Sequence, residues 1–138
     1  MPVTSDDDLR GIIERSRRIA VVGLSSNPAR PSHGVALFLK ARGFDIVPVN
    51  PNETVVLGVD AVADLGLIDG PVDMVNVFRR PEYCADIARA AVEVGAGALW
   101  LQQGIRNDEA MSIAEEGGLR AVQDRCLRVE VQRLLRRR

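Results

Sequence analysis

Four polar segments each follow a short apolar run, and between them they hold most of the side chains suited to bind an anion. The first runs from Gly23 to Gly34 and carries Ser25, Ser26, Asn27, Arg30, Ser32 and His33 ahead of a helical pattern. Hydroxyls, an amide and the free backbone N–H groups at a helix start are donors for a phosphate, helped by the helix dipole. The spacing is not GxGxxG, because Ser25 and Ser26 stand where the second glycine would be; nor does a Gly-Lys-Ser/Thr follow, as a P-loop requires. A plain polar loop broken by Pro28 and Pro31 is the bland alternative. The second segment, Asn50-Pro51-Asn52, sets a neutral amide where an NAD-binding fold wants an acid for the ribose hydroxyls. The third, Phe78-Arg79-Arg80-Pro81-Glu82, brings two guanidiniums suited to charge-assisted bonds with phosphate. Its alternative is one arginine paired with an acid and the other solvated. The fourth holds Gln102, Gln103 and Gly104, amides fit for an adenine edge or an amide-rich ligand arm, or simply a strand-to-helix turn.

Side chains for catalysis are scarcer. His33 is the single histidine, with no orienting partner evident, and reads as a helix-start or pocket-wall residue. Cys84 falls on the inward face of a helical pattern and reads as core. Cys126 lies near a strand end, where a buried thiol is the simpler reading. No two carboxylates stand at strand ends in a way that suggests acid–base work. One histidine and two distant cysteines make a structural zinc site an unattractive reading.

The elements that would position these segments alternate along the chain. Ile19–Val22, Ile46–Val49, Met74–Val77 and Ala98–Leu101 are short, nearly continuous apolar runs, as expected of strands buried on both faces of a parallel sheet. Leu119–Val122 is a fifth, weaker run. Helical spacing lies between them: Val35, Phe38 and Leu39 after Ser32 as N-cap, then Cys84, Ile87, Ala88, Ala91 and Val92, then Ala110, Ile113 and Ala114 between Asn107 and Gly117-Gly118. A leading helix starts at Thr4 or Ser5, with Leu9, Ile12 and Ile13 inward and Arg15, Arg17 and Arg18 in its last turn. A closing one carries Leu127, Val131, Leu134 and Leu135 and runs into Arg136-Arg137-Arg138, read as a frayed, solvated tail. The expected fold class is α/β: one Rossmann-like domain over residues 1–138, with a five-stranded, mostly parallel sheet and helices on both faces. Ligands of such sheets lie at the carboxyl ends of the strands, at the topological switch point.

Composition sets the outer bounds. The 138 residues carry a net charge of −1, which gives no reason to expect a nucleic-acid partner. A hydrophobic fraction of 46% with 27% charged residues excludes intrinsic disorder, and no apolar run approaches a membrane span. The acidic N-terminal stretch does not read as a signal peptide, so the expected location is cytoplasmic. Self-association into a homo-oligomer is left open.

Six stretches in order carry a resemblance: Ile19-Ala20-Val21-Val22-Gly23-Leu24-Ser25, Asn27 to His33, Pro48-Val49-Asn50-Pro51, Val77 to Glu82, Trp100 to Ile105, and Asp124-Arg125-Cys126. With them, residues 18–53 and 73–130 resemble the small stand-alone CoA-binding proteins, whose domain is similar to the CoA-binding domain of the succinyl-CoA synthetase α subunit. The resemblance implies a Rossmann-like fold binding coenzyme A or an acyl-CoA through its ADP moiety, without catalysis. Residue by residue it implies Gly23, Ser25, Ser26 and Asn27 at the pyrophosphate, with Arg30, Ser32 and His33 in the same segment. Asn50 and Pro51 would flank the adenosine, and Phe78, Arg79 and Arg80 the opposite wall. Gln102, Gln103 and Gly104 would lie near the pantetheine path. Asn76 stands where the family commonly has Asp, and residues 55–72 do not align. The synthetase's phosphorylatable histidine belongs to a second domain that has no counterpart among these motifs. Competing expectations are a nicotinamide-nucleotide-dependent oxidoreductase or CoA-transforming enzyme, and an interaction module that has lost its ligand.

Overall fold

The computed structural model describes residues 1–135; the Arg136-Arg137-Arg138 tail lies outside them. Helix α1 (Asp6–Arg15) opens the chain, capped by Ser5, whose side chain accepts from the Asp8 N–H. Ser16 ends the helix through its N–H bond to Ile13 O, so Arg17 and Arg18 do not belong to the last turn as expected. Arg18 instead opens strand β1 (Arg18–Val22).

Alternating strands and helices then follow: α2 (Pro31–Ala41), β2 (Asp45–Val49), β3 (Val55–Val56), β4 (Val59–Asp60), β5 (Met74–Val77), α3 (Cys84–Glu93), β6 (Ala98–Leu101), α4 (Asp108–Glu116), β7 (Arg120–Val122) and α5 (Leu127–Leu134). The main sheet is five-stranded, in the order β2-β1-β5-β6-β7, with every pairing parallel. From β1 the chain steps outward to β2, then returns to the far side of β1 for β5. Right-handed crossovers running in opposite directions must put their helices on opposite faces of the sheet. Accordingly α2 packs with α1 and α5 on one face, while α3 and α4 cover the other.

Side-chain alternation explains why the strands read as continuous apolar runs. Ile19, Val21, Met74, Ala98 and Trp100 point to the first face, and Ala20, Val22, Val75, Val77, Leu99 and Leu101 to the second, all buried. The asparagine of β5, Asn76, is fully buried on the first face, where its Nδ2 donates to Trp100 O and Gln102 Oε1 and its Oδ1 finds no partner.

Two local expectations change. Ser32 does not cap α2: Pro31 takes the first helical position, where its missing N–H costs nothing, and Arg30 becomes the cap residue. The Ser32 hydroxyl is thereby freed to accept from the Ser25 N–H at 3.1 Å. The unassigned stretch 55–72 forms the small antiparallel β3–β4 hairpin, a bridge from Val62 to Val49, and a short 3₁₀ turn over Leu65–Leu67. Elsewhere the caps are as expected, with Asn107 accepting from the Ala110 N–H and Gly117 closing α4.

Candidate functional site

The order of strands reverses between β1 and β5, so the loops leaving those two strands meet at the sheet's carboxyl edge. Gly23 is where they touch. Its φ of +87° is a conformation that L side chains resist, and a Cβ there would lie 2.7 Å from Phe78 O and 3.1 Å from Arg79 Cδ. Its N–H donates to Val49 O at 2.8 Å, and the Phe78 N–H donates to Val22 O, so one turn ties three strand ends together.

The first loop is built largely on its own polar groups. Asn27 N–H donates to Ser25 Oγ, Ala29 N–H to Asn27 Oδ1, and Arg30 N–H to Asn27 O. The Ser26 N–H (2.8 Å) and hydroxyl (3.0 Å) both donate to one oxygen of Glu53, at the far end of the β2 turn. His33 lies half-buried in the first turn of α2, the helix-start position its spacing suggested.

Asn50 is committed to structure at both ends of its amide: Nδ2 donates to Leu24 O and Oδ1 accepts from the Asn52 N–H. Pro51 is exposed on the turn beside it. In the third loop Phe78 packs against the first-face core, and Arg79 lies 4.3 Å over the Tyr83 ring. Arg80 is exposed. Arg30, Arg79 and Arg80 have no carboxylate partner among the described residues, although ten ion pairs form elsewhere. Arg79 and Arg80 follow the end of β5 and Arg30 precedes α2, and guanidiniums without a carboxylate leave their charge available to a phosphate.

In the fourth loop Gln102 is buried, and its Oε1 accepts from Asn76 Nδ2 and the Leu127 N–H, both at 3.3 Å. Gln103 and Gly104 are exposed. The Gly104 N–H donates to Asp124 Oδ1 at 2.7 Å, and this bond, aided by Arg106, holds the Asp124 carboxyl below the usual carboxylate range. Asp124 itself adopts φ +59°.

The four segments therefore do converge on one edge, but not as a uniform ring of free donors. The hydroxyls and amides of the first and second loops are spent on shaping the turns, while the arginines are not. Sequence reasoning missed Glu53 and the anchoring role of Asp124. Glu53 had one signal: it is the first acid after the second strand, three residues past the position where an acid is expected.

Cys84 is buried, and burial pushes its thiol up to about 11; its Sγ lies 3.6 Å from Arg80 O. Cys126 is half-buried against the first-face core. Among the described residues no cluster of His, Cys, Asp or Glu could hold a metal ion, and no helix is long and apolar enough to cross a membrane. A recess of about 430 Å³ lies elsewhere, lined by Arg18, Asp45, Asp60, Leu67 and Asp69. Three acids against one arginine make it a poor place for a phosphate.

A family model for a CoA binding domain matches residues 17–132. An uncharacterized protein of Bacillus subtilis (strain 168), YneT, is 45% identical over 125 residues, which span 91% of this chain and 93% of its own. A hypothetical protein from Pyrococcus horikoshii OT3 shares the architecture with a TM-score of 0.93 and 34% identity, over 98% of this chain and 96% of that one. A Thermus thermophilus structure does so at 0.90 and 38%, over 95% and 99%. With the match running from just before β1 into α5, the chain belongs to the CoA binding domain family.

Proposed function

We propose that the protein binds coenzyme A or an acyl-CoA through its ADP moiety, at the edge where the β1 and β5 loops meet, and does no chemistry on it. The observation that carries this reading is Arg79 against the Gly23 turn at the switch point, with Arg80 next to it in sequence and Arg30 in the first loop, all three without a carboxylate partner among the described residues. Phosphates are the ligand groups that such a cluster suits. Gly23, Ser25, Ser26, Asn27, Ser32 and His33 line the pyrophosphate side, Asn50 and Pro51 the adenosine, and Phe78 the opposite wall. Gln103 and Gly104 border the route of the pantetheine arm, with Gln102 supporting them from within.

The non-catalytic part rests on the side chains. A thiol with the pKa of Cys84 stays protonated near neutral pH, and among the described residues neither Cys126 nor His33 makes a side-chain hydrogen bond to an activating or orienting partner. An activated nucleophile needs that arrangement.

One titration series by calorimetry tests the proposal: CoA, dephospho-CoA, ADP and NAD against the same protein. CoA binding that also raises the melting temperature supports it. Acetyl-CoA or succinyl-CoA is expected to remain intact beyond spontaneous hydrolysis; turnover that disappears in His33→Asn or Cys126→Ser would establish an enzyme instead. A second reading, a nicotinamide nucleotide, gains support from Glu53, an acid near the end of β2 as ribose recognition prefers. Binding of NAD without CoA would favour it.

A further inference from the structure

Ser26 offers the first loop's exposed backbone N–H and hydroxyl as a pair, and in this structure a carboxylate already holds both. We infer that Glu53 is a built-in rival for this anion site: a phosphate that reaches Ser26 must take the place of the Glu53 carboxylate, which makes the β2 turn a selectivity element for the ligand. The inference rests on reading the first loop as phosphate-binding, and it adds a residue that the motifs do not include.

Three observations support it. The two donors converge on the single oxygen Oε2, at 2.8 and 3.0 Å, as they would on one phosphate oxygen. No lysine or arginine pairs with Glu53 among the described residues, so its hold depends on two neutral donors and not on an ion pair. A phosphate seated on these donors has further oxygens free to meet other donors, which the single Glu53 oxygen lacks.

The third observation is mechanical. The turn that carries Glu53 is pinned independently of its side chain: Glu53 N–H donates to Asn50 O, Asn52 N–H to Asn50 Oδ1, Asn50 Nδ2 to Leu24 O, and Asn50 N–H to Val62 O. The carboxylate can therefore swing away by rotating its own bonds while the turn and the first loop keep their shape. Left close by, it repels an incoming anion; swung out into water, that repulsion is screened. Glu53 thus sets a threshold, and ligands with a compact, highly charged phosphate group pass it more readily than neutral ones.

The experiment is a titration of inorganic pyrophosphate and of CoA against the wild-type protein, Glu53→Gln, Glu53→Ala and the control Glu82→Ala, with the Ser26 amide followed by ¹⁵N NMR. Glu53→Gln keeps the size and the acceptor and removes the charge, which guards against misfolding in the alanine variant. Both Glu53 variants are expected to bind pyrophosphate roughly tenfold more tightly, about one charge-assisted hydrogen bond's worth of competition. In the wild-type protein the Ser26 amide signal should start apart from its position in the Glu53 variants and move to a common position once pyrophosphate is bound. Weaker or unchanged pyrophosphate binding in the Glu53 variants overturns the inference, and so does an equal gain in Glu82→Ala, which would signal a general field effect. Tighter pyrophosphate with no binding of CoA to any variant upholds Glu53's role and rejects the CoA reading. CoA binding that is indifferent to residue 53 does the reverse.

Discussion

Arg79 and Arg80 are neighbours in sequence with different surroundings. The Arg79 guanidinium rests on the Tyr83 ring, which fixes its plane, whereas Arg80 projects into solvent at the start of a 3₁₀ turn. A ring-supported guanidinium loses less freedom on meeting a phosphate. Replacing either arginine with alanine is expected to weaken CoA by about 1.5–3 kcal/mol and to affect dephospho-CoA less, if the ribose phosphate is its partner. Arg79→Ala should be the costlier of the two. Calorimetry on both ligands reads this directly, and equal losses for CoA and dephospho-CoA would move the arginines to the pyrophosphate. The cysteines separate in the same way. Cys84, raised to about 11 by burial, should resist an aromatic disulfide reagent at pH 8 while half-buried Cys126 reacts. Because the folded state holds the Cys84 proton more tightly than the unfolded one, its contribution to stability is complete below the ordinary value of 9.0 and is lost as pH climbs towards 11. Cys84→Ala should flatten that alkaline limb of the melting curve.

At the scale of elements, helices α3 and α4 meet so closely that a glycine is needed between them. A Cβ on Gly117 would lie 2.5 and 2.7 Å from the Val92 methyls and 3.1 Å from its Cβ, a branched side chain with little room to turn. Gly117→Ala is expected to cost about 1–3 kcal/mol in denaturant unfolding. Gly118, beside it, has open space but a φ of +88°, so Gly118→Ala should cost only about 1 kcal/mol, and Gly118→Asn less. These elements were legible in the sequence for a physical reason. Strands buried on both faces leave short, nearly continuous apolar runs, and Asn107 and Gly117-Gly118 bracket α4 with ordinary cap chemistry. What escaped the sequence was set by distance. The β3–β4 hairpin has two residues in each strand, too few for a period, and is followed by the single bridge from Val62 to β2. Ser32 had the right side chain for a cap, but Pro31 moved the helix start forward, with the cap at Arg30, two residues earlier. The contact of Ser26 with Glu53 spans 27 residues and depends on how the β2 turn folds back, which no local pattern records. Likewise the amides of Asn50 and Gln102 look free in a string of letters; only the folded chain spends them.

Taken whole, the molecule closes its ends on each other. Arg133 of α5 grips Asp6 of α1 with two parallel bonds of 2.8 Å and also donates to the buried Glu130 at 2.6 Å. The bond to Arg133 holds the Asp6 carboxyl below its ordinary value of 3.8. A carboxylate with a lowered folded pKa stabilises above that ordinary value, and the contribution fades as pH falls through the folded one. Melting temperature should therefore drop on acidification below about pH 4, more steeply in the wild-type protein than in Arg133→Ala, whose stability at neutral pH should already be lower because among the described residues Glu130 keeps only Arg125 at 3.4 Å. The five strands of the main sheet and the burial of both its faces could be read from the sequence at this scale, but not the strand order that decides where the loops meet. The rims of that sheet have a consequence of a different kind. On one side Val3 donates to Ala121 O and lies along β7; on the other, Val62 bonds to Pro48 O and Asn50 N–H, and Pro48 brings no donor of its own. A foreign strand thus finds each rim already occupied at one residue, so full pairing by edge addition, the route by which fibrils grow, requires that one of these two short borders peel away.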